Sequence, residues 1–355
     1  MRFMIRYAWK VNSIAPMVIA VTIINFGAST MRDFWDEYFW LPENISWTDM
    51  TSTNSIHYPQ VADLRYTILF GFGLLGLRVL LESFVFLPIG WLGGWISSPL
   101  LPRIWSHLTG GFAGKSKFKR VAECGWRFCF YVCAWTAGLM ILLGEPQLKD
   151  VSECWRGWPH HNVSTAVWWY YMLEASFYWA LFIGTLCVDV RRSDFVQMLL
   201  HHAITVLLLY LSWSMNMVRV GTLVLFVHDA ADILIEAGKI ARYARWHTAL
   251  NVIFSVFTVV WIATRLVYYP FWIMRSVWFD APELIQSSYR WTNLWQRPLV
   301  PRILMMMLTS LLVLHIFWTY VIIRVALKSM QEGEVDDVRE ESDSEEDDAN
   351  KRKSD

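Results

Sequence analysis

The feature that most constrains this chain is a series of apolar runs, each about as long as a bilayer core is thick. A helix needs about 20 predominantly apolar residues to cross roughly 30 Å of hydrocarbon. Seven stretches meet that length: 64–87, 126–144, 166–187, 199–218, 220–240, 249–272 and 303–326. An eighth, shorter run at 11–29 follows Arg2, Arg6 and Lys10 and reads as a signal peptide or a signal anchor. Composition agrees, with 55% hydrophobic and 17% charged residues, against about 25% charged in ordinary soluble domains. A soluble enzyme and a disordered protein are thereby excluded. The fold class is an all-α polytopic membrane protein of about seven spans.

Two glycosylation sequons, Asn44-Ile45-Ser46 and Asn162-Val163-Ser164, test the orientation. Counting spans places both on one side. Arg103, Lys115, Lys117, Lys119 and Arg120, then Arg191 and Arg192, then Lys239, Arg242 and Arg245, fall in loops on the other, as the positive-inside bias requires. The loop at 273–302 dissents with four arginines. The reading is lumenal sequons, cytosolic basic loops and a cytosolic C-terminus. Residues 31–63 are then lumenal, and 88–120, with its Pro and Gly, is a cytosolic linker. Five cysteines show no CxxC or Cys/His spacing that would mark a metal site or disulfide framework.

Lysine plus arginine equals aspartate plus glutamate, 31 each, but the balance is a cancellation. Residues 331–355 hold twelve acids and four bases and read as a disordered tail. That leaves 27 bases against 19 acids in 1–330, a net of +8. In the tail, Ser342 and Ser344 sit in SDSEEDD, the setting that acidophilic kinases phosphorylate, and the terminal KRKSD resembles a dilysine retrieval signal for the endoplasmic reticulum.

Ionisable groups inside spans are functional hypotheses by default, and two consecutive helices concentrate them. The first carries His201, His202, Thr205, Ser212, Asn216 and Arg219; the second carries His228, Asp229, Asp232, Glu236 and Lys239. At about 100° per residue, each set falls within one sector of about 100°. A short turn near Arg219 makes a tight antiparallel hairpin whose stripes face one cavity. At about 1.5 Å per residue, His201 and His202 lie level with Glu236, Asp232 lies beside Thr205, and Asp229 beside Leu209 and Ser212. Imidazole tuned by carboxylates suits acid/base or nucleophilic work. A lone membrane histidine is ordinarily a packed helix contact; eleven polar residues confined to two stripes are not. Three histidines with three carboxylates also raise zinc or iron. Against metal, the spaced histidine boxes of di-iron enzymes are absent, and adjacent His201 and His202 point about 100° apart.

The run HHAITVLLLYLSWSMNMVRVGTLVLFVHDAADILIEAGKIARY resembles the longevity-assurance motif of the ceramide synthases, within the TLC-domain family. The matching positions are His201, His202, Thr205, Ser212, Arg219, Gly221, His228, Asp229, Asp232, Glu236 and Lys239. Further similar stretches surround Phe39 to Trp47, Glu123 to Phe128, Glu174 to Trp179 and Asp189 to Phe195. The resemblance implies a TLC-type helical barrel over 121–330 enclosing a polar active site, placed in the endoplasmic reticulum membrane. It implies N-acylation of a sphingoid base by fatty acyl-CoA, with the acyl-CoA as co-substrate, no bound cofactor, no metal and no nucleic acid. Membrane lipid and a homo- or heterodimer with other ceramide synthases complete the implied partners. Two departures stand: about forty residues between Phe86 and Trp126 leave no room for the homeobox-like domain of many animal members, and the first thirty residues extend beyond the usual start. The rivals are a metal-dependent membrane lipid hydrolase and a non-catalytic lipid sensor.

On this reading His201, His202, Asp229 and Asp232 are catalytic, and His228, Glu236, Arg219, Ser212, Thr205 and Lys239 support them. Either histidine can take the proton from the sphingoid ammonium, or one can attack the thioester to give an acyl-imidazole. Arg191, Arg192, Arg242 and Lys239 are candidates to meet the phosphates of coenzyme A, although ordinary loop charge explains them equally well. Asn44 and Asn162 are the glycosylation candidates. In the family, chain-length choice is associated with the loop before the last span, here around Phe279 to Asn293.

Overall fold

The computed structural model describes residues 37–43, 45–51, 57–94, 99–110, 117–187, 189 and 194–332. The N-terminal extension, Asn44, Arg191, Arg192, Ser342 and Ser344 lie outside them. The regular secondary structure among the described residues is helical, with no strand among them. Eight helices carry the fold: α1 (Val61–Leu92), α2 (Leu100–Leu108), α3 (Lys117–Leu142), α4 (Thr165–Cys187), α5 (Phe195–Ser214), α6 (Val218–Tyr243), α7 (His247–Ile285) and α8 (Val300–Glu332). Short helical turns at Glu37–Trp40, Trp47–Met50, Pro146–Leu148 and Val151–Cys154 belong to the connections.

Five of these, α1, α3, α5, α7 and α8, are long and apolar enough to cross a membrane. The sequence reading expects seven, and the two outside this set are α4 and α6. The reason is chemical. α4 is loaded with Trp168, Trp169, Tyr170, Tyr171, Tyr178 and Trp179, and α6 carries Arg219, His228, Asp229, Asp232, Glu236, Lys239 and Arg242. Both also bury much of their length inside the protein, including Glu174 on α4 and Asp229 and Glu236 on α6. A helix shielded by its neighbours need not be apolar all round.

α6 packs along α3 and α7, α4 along α1 and α5, and α8 against α5 and α7. α3 also touches α4, and α5 touches α6. The expected α5–α6 hairpin is present, joined by Met215–Met217, but the two helices splay apart and α6 makes most of its contacts with α3 and α7. Asn216 turns the chain with a left-handed φ of 50°. Its side chain donates to the carbonyls of Pro159 (2.7 Å) and His161 (3.0 Å), while the Trp158 indole donates to Met215 (2.9 Å). The turn is thus pinned to the α3–α4 connection, which also holds Asn162, an exposed residue accepting from the His57 amide at 2.8 Å.

Close helix approach rests on small residues. A Cβ at Gly71 would lie 3.1 Å from the Ser176 carbonyl, so α1 can press onto α4 only without one, and a Cβ at Gly221 would lie 2.6 Å from the Tyr171 hydroxyl. α7 departs from α-geometry over Ile262–Met274, where a π-helical stretch accommodates Pro270. Proline removes a ladder donor and crowds the preceding turn, and π segments often mark functional sites.

One charged cluster ties the ends of α1, α3 and α4. Arg78 pairs with Glu82 (2.7 Å), Glu123 (2.9 Å) and Asp189 (2.8 Å); His107 of α2 meets Glu82 at 2.9 Å, and Arg127 meets Asp189 at 2.8 Å. Burial works against the Asp189 charge, yet Arg78 and Arg127 hold its carboxyl below the ordinary carboxylate range. The segment at 88–120, read as a linker from sequence, therefore includes a short helix fastened through His107.

Candidate active site

Two cavities meet inside the helices. The wider, about 260 Å³, lies toward the end bearing Lys239 and Arg242 and is lined by polar groups from every side: Glu123 and Arg127 of α3, Asp189, Asp194, His201 and His202, then Asp232, Glu236, Lys239 and Arg242, with Arg265 of α7 and Trp318 of α8. The narrower, about 100 Å³, runs toward the α7–α8 connection. Its wall is formed mainly by Leu208, Leu209, Met217, Val220, Val224, Leu225, Leu304, Leu308 and Leu311, and its far end by Trp155, Ala281, Ile285, Tyr289 and Trp291. Along α5 it extends from His201 to Ser212, about 16 Å at the helical rise. Tyr178 and His201 line both cavities.

The sequence stripes are reproduced unevenly. His201, His202, Asp232, Glu236 and Lys239 share the wider cavity, in the register the hairpin predicts. His201 stands edge-on to Trp318 at 5.4 Å, and its Nδ1 makes no hydrogen bond among the described residues. His202 Nδ1 lies 3.3 Å from the Thr185 hydroxyl. Glu236 accepts from Lys239 at 2.7 Å. Thr205, Ser212 and His228 line the apolar slot instead, and each is already engaged. Thr205 donates to the His201 carbonyl (2.9 Å), Ser212 bonds the Tyr171 hydroxyl, and His228 Nδ1 donates to the Val224 carbonyl (2.6 Å).

Two residues fall elsewhere. Arg219 donates to the Glu153 carbonyl at 2.8 Å and anchors a connection rather than the cavity. Asp229 is fully buried and turned toward Glu174 of α4 rather than lining either cavity. Asp232, with a side chain 24% exposed, is the aspartate of this helix that reaches the open space.

Sequence reasoning missed the support for Asp232. Arg265, in the π-helical stretch of α7, places Nη2 3.2 Å from both Asp232 oxygens and 2.8 Å from the His228 carbonyl. Its Nη1 approaches Nε2 of His315 on α8 at 3.3 Å, and His315 in turn lies 3.2 Å from Nε2 of His228. The signal was available: Arg265 is the one charged residue of 249–272 and His315 the one histidine of 303–326, both in largely apolar spans. Glu123, Arg127 and Asp189, singled out only by resemblance, both line the cavity and belong to the buried charge cluster. Among the described residues, no three His, Cys, Asp or Glu side chains converge as a metal-holding set.

Comparison with known proteins gives the family. The family model described as the TLC domain matches residues 120–324. Over 311 residues the chain is 48% identical to the Caenorhabditis elegans ceramide synthase hyl-2, covering 87% of this chain and 93% of that protein. It is 41% identical to ceramide synthase hyl-1 of the same organism, over 88% of this chain and 84% of that protein. It is 32% identical to human ceramide synthase 5, over 88% of each. Match length and identity together make the chain a member of the ceramide synthase family, built on the TLC domain.

Proposed function

We propose that the chain transfers a fatty acyl group from acyl-CoA to the primary amine of sphinganine or a related sphingoid base, giving a (dihydro)ceramide and free coenzyme A. The observation that carries this is the position of His201, at the meeting point of a polar cavity and an apolar slot. A fatty acyl thioester has the same division: a polyanionic headgroup, a reactive carbonyl and a hydrocarbon tail. The tail fits the slot, the headgroup lies toward Lys239 and Arg242, and the carbonyl meets His201.

The amine arrives as an ammonium. Asp232, fixed by Arg265, is the carboxylate positioned to hold it, and a histidine takes its proton. Attack on the thioester carbon then forms the C–N bond. Collapse breaks the C–S bond, and the thiolate leaves with its electron pair and takes up the proton. In the two-step variant His201 attacks first, releases coenzyme A, and passes the acyl group to the amine. Intact mass after incubation with acyl-CoA alone separates the two routes: an acyl adduct supports the second, and its absence from active enzyme supports the first.

The setting belongs to the same proposal. α4 and α6, about 34 and 39 Å long at the helical rise, complete seven spans, and α3 to α8 form a barrel around the site. The protein resides in the endoplasmic reticulum membrane with the Lys239 end and the C-terminus cytosolic, glycans on Asn44 and Asn162, phosphates on Ser342 and Ser344, and a second synthase subunit as partner. The deciding experiment supplies microsomes expressing the chain with sphinganine and a panel of acyl-CoAs, and weighs the products. New ceramide species absent from vector controls are expected; their absence, with the protein present, would overturn the assignment.

A further inference from the structure

Attack on a thioester drives the carbonyl π electrons onto oxygen, and an oxyanion formed among buried helices needs a donor aimed at it. Loop enzymes often recruit backbone N–H groups. Here the reacting residues sit in helix interiors, His201 within α5 and Tyr178 within α4, where the amides are engaged in i to i−4 bonds and only the first turn is free. The donor has to be a side chain.

We infer that Tyr178 is a catalytic residue whose hydroxyl donates to the thioester oxygen as it becomes an oxyanion. This rests on the acyl-transfer reading of the site. Tyr178 and His201 are the two residues shared by the polar cavity and the apolar slot, the place where the carbonyl of a seated acyl-CoA lies. Their rings meet edge to face at 6.5 Å, so a carbonyl seated beside the pair at the junction faces both side chains. Tyr178 is 3% exposed, and its hydroxyl takes part in none of the hydrogen bonds of the described residues. Of the other hydroxyls around the two cavities, Thr205 is committed to the His201 carbonyl, Ser212 to Tyr171 and Thr185 to His202, while Tyr131 lines the polar cavity only and not the slot.

The step balances without a further reactant. Amine nitrogen, or His201 nitrogen in the two-step route, bonds to the carbonyl carbon. The π pair moves to oxygen and accepts the Tyr178 O–H. When the C=O re-forms, the C–S bond breaks and the pair leaves on sulfur, which takes up the proton shed by the nucleophile. Tyr178 keeps its proton throughout.

The test replaces only the hydroxyl, in full-length chain in microsomes. Tyr178→Phe should lower kcat by about 10²–10³-fold, the loss typical of one oxyanion donor, while KM and the binding of a thioether analogue, S-hexadecyl-CoA, stay unchanged because the analogue has no carbonyl. Two shape-matched residues at position 178 separate donation from packing. 3-Fluorotyrosine, which keeps the O–H, should restore transfer; 4-fluorophenylalanine, which fills the space without it, should not. If Tyr178→Phe transfers acyl groups at the native rate, or both fluorinated residues restore it equally, the inference is overturned. Failure of the native chain to make ceramide would overturn the acyl-transfer reading itself, a separate outcome.

Discussion

Arg265 Nη2 lies 3.2 Å from both carboxylate oxygens of Asp232, although the two residues come from different helices, 33 positions apart in the chain. The guanidinium also holds the His228 carbonyl and stacks 5.0 Å over Trp261, so the aspartate is presented to the cavity from a rigid mount. Arg265→Leu should abolish ceramide formation and, because it leaves the half-buried Asp232 carboxylate without its cation, destabilise the fold by about 1–3 kcal/mol. Arg265→Lys keeps the charge but not the forked donor geometry, and should retain measurable though reduced turnover. Thermal unfolding in detergent and product mass read the two effects separately; native activity in Arg265→Leu would remove Asp232 support from the mechanism.

His201 and His202 are adjacent in sequence but differently placed, since only His201 reaches the apolar slot. His201→Ala should show no acyl transfer at normal expression. His202→Ala should also lose activity, through the polar side of the cavity, while still binding acyl-CoA. Activity near the native level in both variants would show that the reaction centre lies elsewhere.

How much of this was legible in advance depended on range. The stripes on α5 and α6 are local, set by the 3.6-residue period, so His201, His202, Asp232 and Glu236 could be placed on one cavity from spacing alone. Asp229 shared the stripe and still faces Glu174, because a sector of about 100° spans two neighbours and spacing does not say which helix stands where. The same limit hid Arg265 and His315: neither belongs to a stripe of ionisable residues on its own helix, and its meaning appears only when α7 and α8 close against α6. The apolar slot carries no sequence pattern distinct from ordinary span hydrophobicity. α4 and α6 read as spans by length but not by hydropathy, since their aromatic and charged residues lower it, and many of those, such as Tyr171, Tyr178, Glu174 and Asp229, are buried inside the protein.

The buried charge cluster makes a stability prediction independent of the chemistry. Arg78 is 3% exposed and contacts three carboxylates. Arg78→Met should leave Glu82, Glu123 and Asp189 without their shared cation and destabilise the protein by at least about 3–5 kcal/mol. Exposed Arg156, paired with Glu153 at 2.9 Å, provides the contrast: Arg156→Met should change stability by less than about 1 kcal/mol. Equal melting temperatures for the two variants would contradict the cluster's structural role.

The slot provides a ruler for acyl length. Leu304, Leu308 and Leu311 line it on successive turns of α8, with Leu311 nearest the histidines and Leu304 nearest the far end. Each step of four residues shifts a blockade by about 6 Å. Leu304→Trp should therefore reject the longest acyl-CoAs and keep shorter ones, while Leu308→Trp should move the cutoff to shorter chains still. Overpacking carries a stability penalty of about 1–3 kcal/mol, so expression and melting temperature must be checked in parallel. Competition among a mixed acyl-CoA panel, with ceramides resolved by mass, reads the cutoff directly. A product distribution unchanged in both variants would mean that the acyl chain does not run down this slot.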